Sequence, residues 1–249
     1  MPFMSPKDNQ PDNLILTRQQ VRACDRVALE KFSLNGLVLM ENAGAAAARK
    51  ILSLLNEKTD KRVCIVAGTG NNAGDGFVVA RHLDHEDIAV EIIICGEKQH
   101  IKGDALSNLL IIERMKLPID YFPQERLADL KRRIMQCGQH TDLIVDAILG
   151  TGTAGPPREP IRTAIETINC LNLTVVALDI PSGLDCDSGL PLEVAVRAGH
   201  TVTFAARKKG FFAPGASDYT GTVTLASIGI NTRRLLKTTL RTGGSILGE

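Results

Sequence analysis

The architecture of the chain can be inferred first from the stretch Lys61-Arg-Val-Cys-Ile-Val-Ala-Gly-Thr-Gly-Asn-Asn-Ala-Gly-Asp-Gly-Phe-Val-Val-Ala-Arg-His-Leu83. The apolar run at residues 63–67 is rich in β-branched side chains and ends at a glycine, which predicts a buried strand. Residues 68–76 are too rich in glycine for a helix or a strand, and apolar residues resume at helical spacing from Phe77. A strand, a glycine loop and a helix in this order direct free backbone N–H groups at a phosphate.

The glycine loop is open to several interpretations. Gly68-x-Gly70-x-x-Ala73 fits the loose dinucleotide-binding fingerprint, which is a weak signal by itself. A P-loop is excluded because no Lys-Ser/Thr pair follows the last glycine. Neither pattern explains Asn71, Asn72 and Asp75, since a carboxylate beside phosphates repels them unless it faces a sugar hydroxyl, a cation or a helix N-terminus. The alternative is a turn rich in Asn and Asp, with Asp75 capping the helix.

The composition disfavours several classes of protein. The chain has 249 residues, of which 44% are hydrophobic and 23% charged, and this fits one α/β domain with an ample core. A net charge of +1 and the lack of tryptophan give no case for nucleic acid or an acidic membrane surface as a partner. The six cysteines form no C-x-x-C pair and are predicted to be reduced core residues of a cytoplasmic protein. No apolar run approaches the ~18 residues of a membrane span.

Strand and helix patterns alternate along the chain. A capping box of Thr17 and Gln20 opens the first predicted helix. Strands are predicted at residues 63–67, 89–95, 119–122, 142–146, 173–179, 201–204 and 222–227. Such alternation predicts a mainly parallel sheet that is covered by helices on both faces. Residues 1–13 are predicted to be a disordered leader, 14–236 the domain, and 237–249 a polar tail.

Polar residues follow three of the predicted strands, at the edge where open α/β sheets bind ligands. Asn72 follows one strand, Asp146 another, and Asp179 with Ser182 a third. Asn72, Asp146 and Ser182 offer hard oxygen ligands, which suit an alkali or alkaline-earth cation better than a transition metal. The alternative for each is a turn or capping residue. No histidine stands near these strand ends except His200, which is expected to be structural, so a Ser-His-Asp triad is disfavoured.

Four motifs together resemble the NAD(P)H-hydrate epimerase family, whose domain is the YjeF N-terminal domain. In that family's order and spacing they are Gly70-Asn-Asn-Ala-Gly-Asp-Gly76, Asp146-Ala-x-x-Gly150, Asp179-Ile-Pro-Ser-Gly183 and Thr203-Phe-x-x-x-Lys208-x-Gly210. The resemblance implies a Rossmann-like three-layer αβα sandwich, often a homodimer. It also implies the interconversion of the R and S forms of hydrated NADH and NADPH (NADHX and NADPHX), a repair of damaged cofactor. The chain resembles the stand-alone epimerase, whose S product is dehydrated by a separate ADP/ATP-dependent NAD(P)H-hydrate dehydratase.

The resemblance assigns roles to individual residues. One potassium ion per subunit would be held by Asn72, Asp146 and Ser182. Asp179 would contact the substrate and serve as the acid/base residue, because a carboxylate can both accept and return a proton. The remaining substrate-binding positions are Asn71, Asn72, Ala73, Gly74 and Asp75 in a first loop and Gly150, Thr151, Gly152, Thr153, Ala154, Gly155 and Pro156 in a second loop.

The chain departs from the family pattern at two positions. Ala73 stands where many relatives have glycine, a change that the turn is expected to tolerate. Ala154 stands where some relatives have a lysine proposed to act with the Asp, so this loop offers no lysine partner. Lys208 matches a family position, and the alternative, a surface or phosphate-contacting lysine without that family role, is equally open.

Two rival functions remain open at this point. A nicotinamide dehydrogenase would need an acidic residue for the ribose after the second strand, where only Glu97 is available, and a hydride-transfer site. A non-catalytic nucleotide-binding or scaffold module of the same fold could lose the polar loop residues, and their presence together favours the enzyme.

Overall fold

Strands and helices alternate through residues 14–55 and 60–241, the part of the chain that the computed structural model describes. The predicted leader, residues 1–13, and residues 242–249 of the predicted tail lie outside these ranges. The strands are β1 (Ile15–Leu16), β2 (Arg62–Ala67), β3 (Ala89–Ile94), β4 (Ile119–Tyr121), β5 (Leu143–Ala147), β6 (Thr174–Leu178), β7 (His200–Phe204), β8 (Arg207–Lys208) and β9 (Thr222–Ala226). The α-helices are α1 (Arg18–Phe32), α2 (Gly36–Leu54), α3 (Asn71–His85), α4 (Gly103–Arg114), α5 (Leu127–Gly138), α6 (Ile161–Asn169), α7 (Ser217–Thr220) and α8 (Thr232–Arg241).

Within the described ranges, seven strands form one sheet in the order β4-β3-β2-β5-β6-β7-β9, and every neighbouring pair is parallel. Side chains of α2, α3 and α4, with Phe77 the largest, pack with one face of the sheet. Side chains of α5 and α6, such as Ile134 and Ile165, pack with the other. Helices on both faces are what fully apolar parallel strands require. The predicted Rossmann-like three-layer αβα sandwich is confirmed.

The strand order reverses between β2 and β5. From β2 the chain proceeds through β3 and β4 toward one edge of the sheet, and β5 begins the run toward the other edge. The loops that leave the carboxyl ends of β2 and β5 therefore diverge, and a crevice opens between them, which is where open α/β sheets bind ligands. Val66 pairs with Asp146 across these two strands, so the predicted polar residues lie at this point.

Helix α3 begins earlier than the glycine content predicts. Asn71 is its first residue and Gly70 its N-cap, so the sequence-based boundary at Phe77 is wrong by two turns of helix. A Cβ on Gly74 would lie 2.5 Å from the Met40 Sδ, and a Cβ on Gly76 would lie 2.7 Å from the Ala147 Cβ. Close packing against α2 and β5 thus requires glycine inside the helix and outweighs its unfavourable helix propensity.

The N-terminal segment and the last described helix pack together at the side of the sandwich. The predicted capping box of Thr17 and Gln20 is present at the start of α1. Leu235 of α8 is buried in the same cluster as Val27 of α1. Helix α8 therefore extends past the boundary predicted at residue 236, and the predicted polar tail begins inside a helix.

The small residues of α2 serve packing within the chain. A Cβ on Gly44 would lie 2.5 Å from the Val78 Cβ, so α2 approaches α3 closely. Gly44 therefore allows α2 to pack closely against another helix of the same chain. All six cysteines are free thiols; five are buried and Cys170 is exposed. Among the described residues, no helix has both the length and the apolar character to cross a membrane.

Candidate functional site

The N-terminus of α3 forms one wall of the crevice. Its N-cap is Gly70, which has no side chain to satisfy the first backbone N–H groups of the helix. The Asn72 side chain is 6% exposed, and its Nδ2 donates to the Leu149 carbonyl at 3.0 Å. This hydrogen bond ties the loop after β2 to the loop after β5. The helix N-terminus and its positive dipole end therefore lie beside the second loop.

Asp146 is fully buried at the end of β5 and is tied to the loop after β6. The Ser182 N–H donates to its Oδ2 at 2.8 Å, and the Ser182 hydroxyl donates to its Oδ1 at 2.5 Å. The Ile148 N–H also donates to Oδ1. Burial raises the pKa of Asp146 to about 6, although these hydrogen bonds act to lower it. Within residues 14–55 and 60–241, no Lys or Arg forms an ion pair with Asp146.

Asn72, Asp146 and Ser182 present oxygen atoms with unused acceptor capacity. The Asn72 Oδ1 is buried and has no hydrogen-bond partner in the described structure, a situation that is costly unless a ligand satisfies it. The Ser182 Oγ accepts from the Leu149 N–H and donates to Asp146, which leaves one lone pair. An orphaned amide oxygen, a hydroxyl oxygen and an unpaired buried carboxylate suit a hard cation.

Asp179 follows β6 and forms an ion pair that the sequence did not indicate. Its backbone has a φ of 64°, in the left-handed region that Asp and Asn enter more readily than most residues. Its Oδ1 lies 2.6 Å from the Nζ of Lys208, whose side chain is completely buried. The interpretation of Lys208 as a surface or phosphate-contacting lysine is therefore wrong.

Lys208 uses all of its hydrogen-bond donors within the protein. Its ammonium group donates to the Phe204 carbonyl at 2.9 Å and to the Ala206 carbonyl at 3.2 Å, and the third N–H meets Asp179. Burial of an ammonium group is tolerated when it is paired and hydrogen-bonded in this way. Lys208 therefore positions Asp179 from beneath, leaving the other carboxylate oxygen for the crevice.

The second loop meets Asp179 from above. The Thr151 N–H donates to the Asp179 Oδ2 at 3.3 Å. A Cβ on Gly150 would lie 3.4 Å from the Asn72 Cβ and 3.5 Å from the Asp179 Oδ2, so Gly150 lies between these two side chains. The crevice thus brings together Asn72, the second loop and Asp179, as the sequence predicted.

Helix α1 holds the second loop from outside. The Arg18 Nε donates to the Thr151 carbonyl at 3.1 Å, and the Arg22 guanidinium donates to the Gly152 carbonyl at 2.6 Å. Arg18 also pairs with Asp185 at 2.5 Å. Burial opposes the charge on Asp185, but hydrogen bonds from the Ser188 N–H and from Arg18 lower its pKa to about 2. Arg18 is therefore anchored, and it fixes the loop backbone that donates to Asp179.

Two further carboxyl groups, those of Asp75 and Asp25, interact electrostatically with Asp179 and Lys208. Asp75 is half-buried, and burial together with the charges of Asp179 and Asp25 raises its pKa well above its usual range. Asp25 of α1 is exposed to solvent on one side. Partial desolvation by the neighbouring protein and, second, the charge of Asp179 raise its pKa to about 6. Lys208 lowers both pKa values but does not cancel these effects. Asp75 is not the helix cap that one interpretation assumed, because it lies in the second turn of α3.

The other predicted substrate positions differ in accessibility. Ala73 is fully buried and Gly74 is buried, so α3 is not accessible to solvent at these two residues. The second loop is open, and its residues are exposed or half-buried. The exposed positions among those predicted are Asn71, Gly152, Ala154 and Pro156.

Sequence reasoning missed the parts of the site that α1 contributes. Arg18, Arg22 and Asp25 lie on the polar side of an amphipathic helix, a pattern shared by most solvated helix faces. The spacing i, i+4 and i+7 predicts that they share one face of the helix, and only the packing of α1 beside the second loop gives that face a partner.

A second group of metal-type side chains lies away from the crevice. The ligand atoms of Glu91, Cys137 and His140 are within 4.8 Å of one another. The Arg133 guanidinium already lies 2.5 Å from Glu91 and 2.7 Å from Asp120. A divalent cation there would be repelled by the Arg133 guanidinium. These side chains form an ion-pair network instead.

The fold and the crevice together define a doubly wound α/β protein with a polar ligand site at its topological switch point. The sequence model of the family described as "YjeF-related protein N-terminus" matches residues 36–210. This chain belongs to that family.

Curated relatives and a solved structure agree with this membership. The NAD(P)H-hydrate epimerase of Pirellula staleyi is 38% identical over 216 residues, which are 87% of this chain and 92% of that protein. The one from Rhodopirellula baltica is 38% identical over 86% of this chain and 84% of that protein. A bifunctional NAD(P)H-hydrate repair enzyme from Pyrobaculum aerophilum is 42% identical, and the chain spans 42% of its length. The crystal structure of yeast ynu0 superimposes with a TM-score of 0.71 at 22% identity over 86% of this chain and 87% of that one, which supports the fold.

Proposed function

We propose that this protein is an NAD(P)H-hydrate epimerase, an isomerase that interconverts the R and S forms of NADHX and NADPHX. The observation that carries the proposal is the Asp179–Lys208 ion pair at the crevice, in a chain 38% identical to a protein named NAD(P)H-hydrate epimerase over 92% of its length. Epimerisation at the hydrated carbon requires proton transfer by a positioned group. Asp179 would contact the substrate and exchange this proton.

The remaining predicted positions would bind the substrate. The first backbone N–H groups of α3 and the Asn71–Asp75 segment would face its phosphates, because a helix N-terminus favours anions. The second loop, Gly150 to Pro156, would cover the ring beside Asp179. Its backbone is held by Arg18 and Arg22, so it is preorganised for this task.

A potassium ion, one per subunit, is part of the proposal, with Asn72, Asp146 and Ser182 as its side-chain ligands. The orphaned, buried Asn72 Oδ1 supports a cation at this point. When bound, the ion would supply positive charge that anchors phosphate oxygens of the substrate next to the α3 N-terminus. Asn72 and Ser182 would then hold the two loops at fixed separation.

We also propose an oligomeric state, a cellular location and a downstream enzyme for this protein. We expect a homodimer, as implied by the family resemblance, and a cytoplasmic location, which fits six free thiols. The S form would be consumed by a separate ADP/ATP-dependent NAD(P)H-hydrate dehydratase. Relatives named as bifunctional repair enzymes are consistent with such a sequential arrangement.

The proposed activity is tested with purified R-NADHX and R-NADPHX. The protein is expected to accelerate the approach to the R/S equilibrium, measured by chromatography that separates the two forms, with no change in the redox state of the ring. Heat-denatured protein serves as the control for spontaneous epimerisation. A redox change would indicate a dehydrogenase, and no acceleration by folded protein would favour a nucleotide-binding or scaffold module.

Potassium is expected to raise the thermal unfolding temperature relative to tetramethylammonium at equal ionic strength. A ligand that binds only the folded state at ten times its Kd stabilises that state by about 1.4 kcal/mol. Asp146→Asn should abolish the difference between the two salts, and so should Asn72→Ala, which removes the orphaned oxygen. Asp84→Asn, an exposed change on α3, should preserve it. Equal unfolding temperatures in both salts would contradict the cation site.

A further inference from the structure

Helix α1 lies before residues 36–210, the range matched by the family's sequence model, yet it contributes to the crevice. The strand that precedes it, β1, pairs with β8, and Leu16 is the partner of Lys208. Arg18 and Arg22 of α1 donate to the backbone of the second loop. The segment is thus tied both to the lysine beneath Asp179 and to the loop above it.

Asp25 lies on the face of α1 that meets the second loop. Residues 18, 22 and 25 are spaced i, i+4 and i+7, so they form one stripe along the helix. The Asp25 side chain is exposed, and its carboxyl interacts electrostatically with Asp179 and Lys208. Helix α1 therefore presents an accessible carboxyl group on the face that holds the second loop.

The proposed reaction needs a proton donor that the other residues do not supply. The Asp179 carboxylate is paired with Lys208 and accepts the Thr151 N–H, so in this arrangement it is an acceptor and not a donor. Lys208 has all of its donors engaged and no exposed surface. The second loop has Ala154 at the position where some relatives have a lysine. Asp25 is an exposed acid beside them, whereas Asp75, which interacts with the same charges, is half-buried.

We propose that Asp25, on the face of α1 that holds the second loop, is a second proton-transfer residue that works with Asp179. This inference rests on the proposed epimerase function. Two carboxyl groups in different environments, here one paired with a buried lysine and one exposed to solvent, are a recurring arrangement for an acid and a base in one site.

The proposed step conserves atoms and charge. The hydroxyl-bearing carbon of the hydrated ring is bonded to the ring nitrogen, because water adds to the enamine carbon next to that nitrogen. Asp25 gives its proton to the hydroxyl oxygen, the C–O bond breaks, water leaves, and the nitrogen lone pair forms a C=N⁺ bond. Water then adds to the other face of this carbon while its proton passes to Asp179. One water is lost and one regained, and a proton has moved from Asp25 to Asp179.

The environment of Asp25 suits this role better than that of Asp75. The charged groups facing Asp25 are Asp179 after β6, Lys208 of β8 and Asp75 of α3. The pKa of Asp25, about 6, allows it to give and take a proton near neutral pH, whereas burial and the charges of Asp179 and Asp25 raise the pKa of the half-buried Asp75 well above its usual range. The acid form of Asp25 is lost as the pH rises above about 6, so activity that depends on it should fall on the alkaline side.

The test compares pH profiles of kcat/KM for R-NADHX between about pH 5.5 and 9, since this parameter reports the ionisation of free enzyme. Wild-type kcat/KM is expected to fall as the pH rises above about 6. Asp25→Asn should lower kcat about 10²-fold or more near pH 6, with KM little changed, and should remove the alkaline fall. Asp25→Glu should restore part of the rate. Glu30→Gln, an exposed change on the same helix, should keep the wild-type profile.

The outcomes separate the inference from the proposed function. Inactive wild-type protein would overturn the epimerase assignment and the inference with it. Active wild-type protein with an unchanged pH profile in Asp25→Asn would overturn the inference alone, as would an alkaline fall that disappears in Asp75→Asn instead. Titration of the ¹³C-labelled Asp25 carboxyl by NMR is independent of activity. Its pKa should decrease in Asp179→Asn, because a neighbouring negative charge is removed, and an unchanged pKa would contradict the electrostatic contact.

Discussion

Replacing Asp179 with Asn is expected to lower kcat for NADHX epimerisation by about 10²–10⁴-fold, the usual contribution of a positioned acid or base. Asn has the same shape and tolerates the left-handed backbone of this position, where φ is 64°. The change therefore removes the proton-accepting oxygen without imposing new backbone strain. Initial rates by chromatography at several substrate concentrations would separate kcat from KM.

The chain offers a matched control for this substitution. Asp87 also has a positive φ of 57°, is exposed, and lies in the turn between α3 and β3. Asp87→Asn makes the same chemical change in the same backbone conformation, and it should leave the rate at the wild-type value. Wild-type turnover in folded Asp179→Asn would exclude Asp179 as the proton-transfer residue.

The second large effect concerns stability. Lys208→Met is expected to lower the free energy of unfolding by about 3–5 kcal/mol, because it leaves the mostly buried Asp179 carboxylate, 13% exposed, without its partner. The two carbonyl groups of Phe204 and Ala206 would also lose their donor. Urea unfolding followed by far-UV circular dichroism measures the change.

A double-mutant cycle distinguishes loss of the ion pair from loss of packing. In the Lys208→Met background, Asp179→Asn should be far less destabilising than in the wild type, since the unpaired charge is then removed. The exposed pair Lys98–Glu113 provides the control, and Lys98→Met there should change stability by at most about 1 kcal/mol. Additive effects of the two substitutions at 179 and 208 would show that the pair is not coupled.

The crevice illustrates how one residue type acquires different properties from its surroundings. Asp146 is buried without a basic partner and is hydrogen-bonded by Ser182, which suits it to a cation. Asp179 is paired with a buried lysine and remains open on one side. Asp25 is accessible to solvent and interacts electrostatically with both Asp179 and Lys208. The electrostatic environment, and not the carboxyl group itself, therefore distinguishes the three roles that we propose, a cation ligand, a base and an acid.

Local sequence patterns were sufficient to predict much of the architecture. Strands in a parallel sheet are buried on both faces, so runs such as residues 63–67 are almost entirely apolar and bounded by glycine, a signal that depends on few neighbours. Alternation with helices then dictates a parallel sheet whose carboxyl ends share one edge. Asn72, Asp146 and Asp179 were placed in one crevice for this reason, and the structure brings them together.

Other features depend on contacts between distant segments and leave no local signal. Helix α3 starts at Asn71 because Gly74 and Gly76 pack closely against α2 and β5, which helix propensity alone does not indicate. Lys208 and Asp179 are 29 positions apart in the sequence, and only the folded chain, in which β8 lies next to Asp179, shows that they form a buried ion pair. Asp25 resembles any solvated helix residue until α1 packs beside the second loop. Long-range packing decides which polar side chains share a low-dielectric crevice, and this proximity converts ordinary charges into a reactive site.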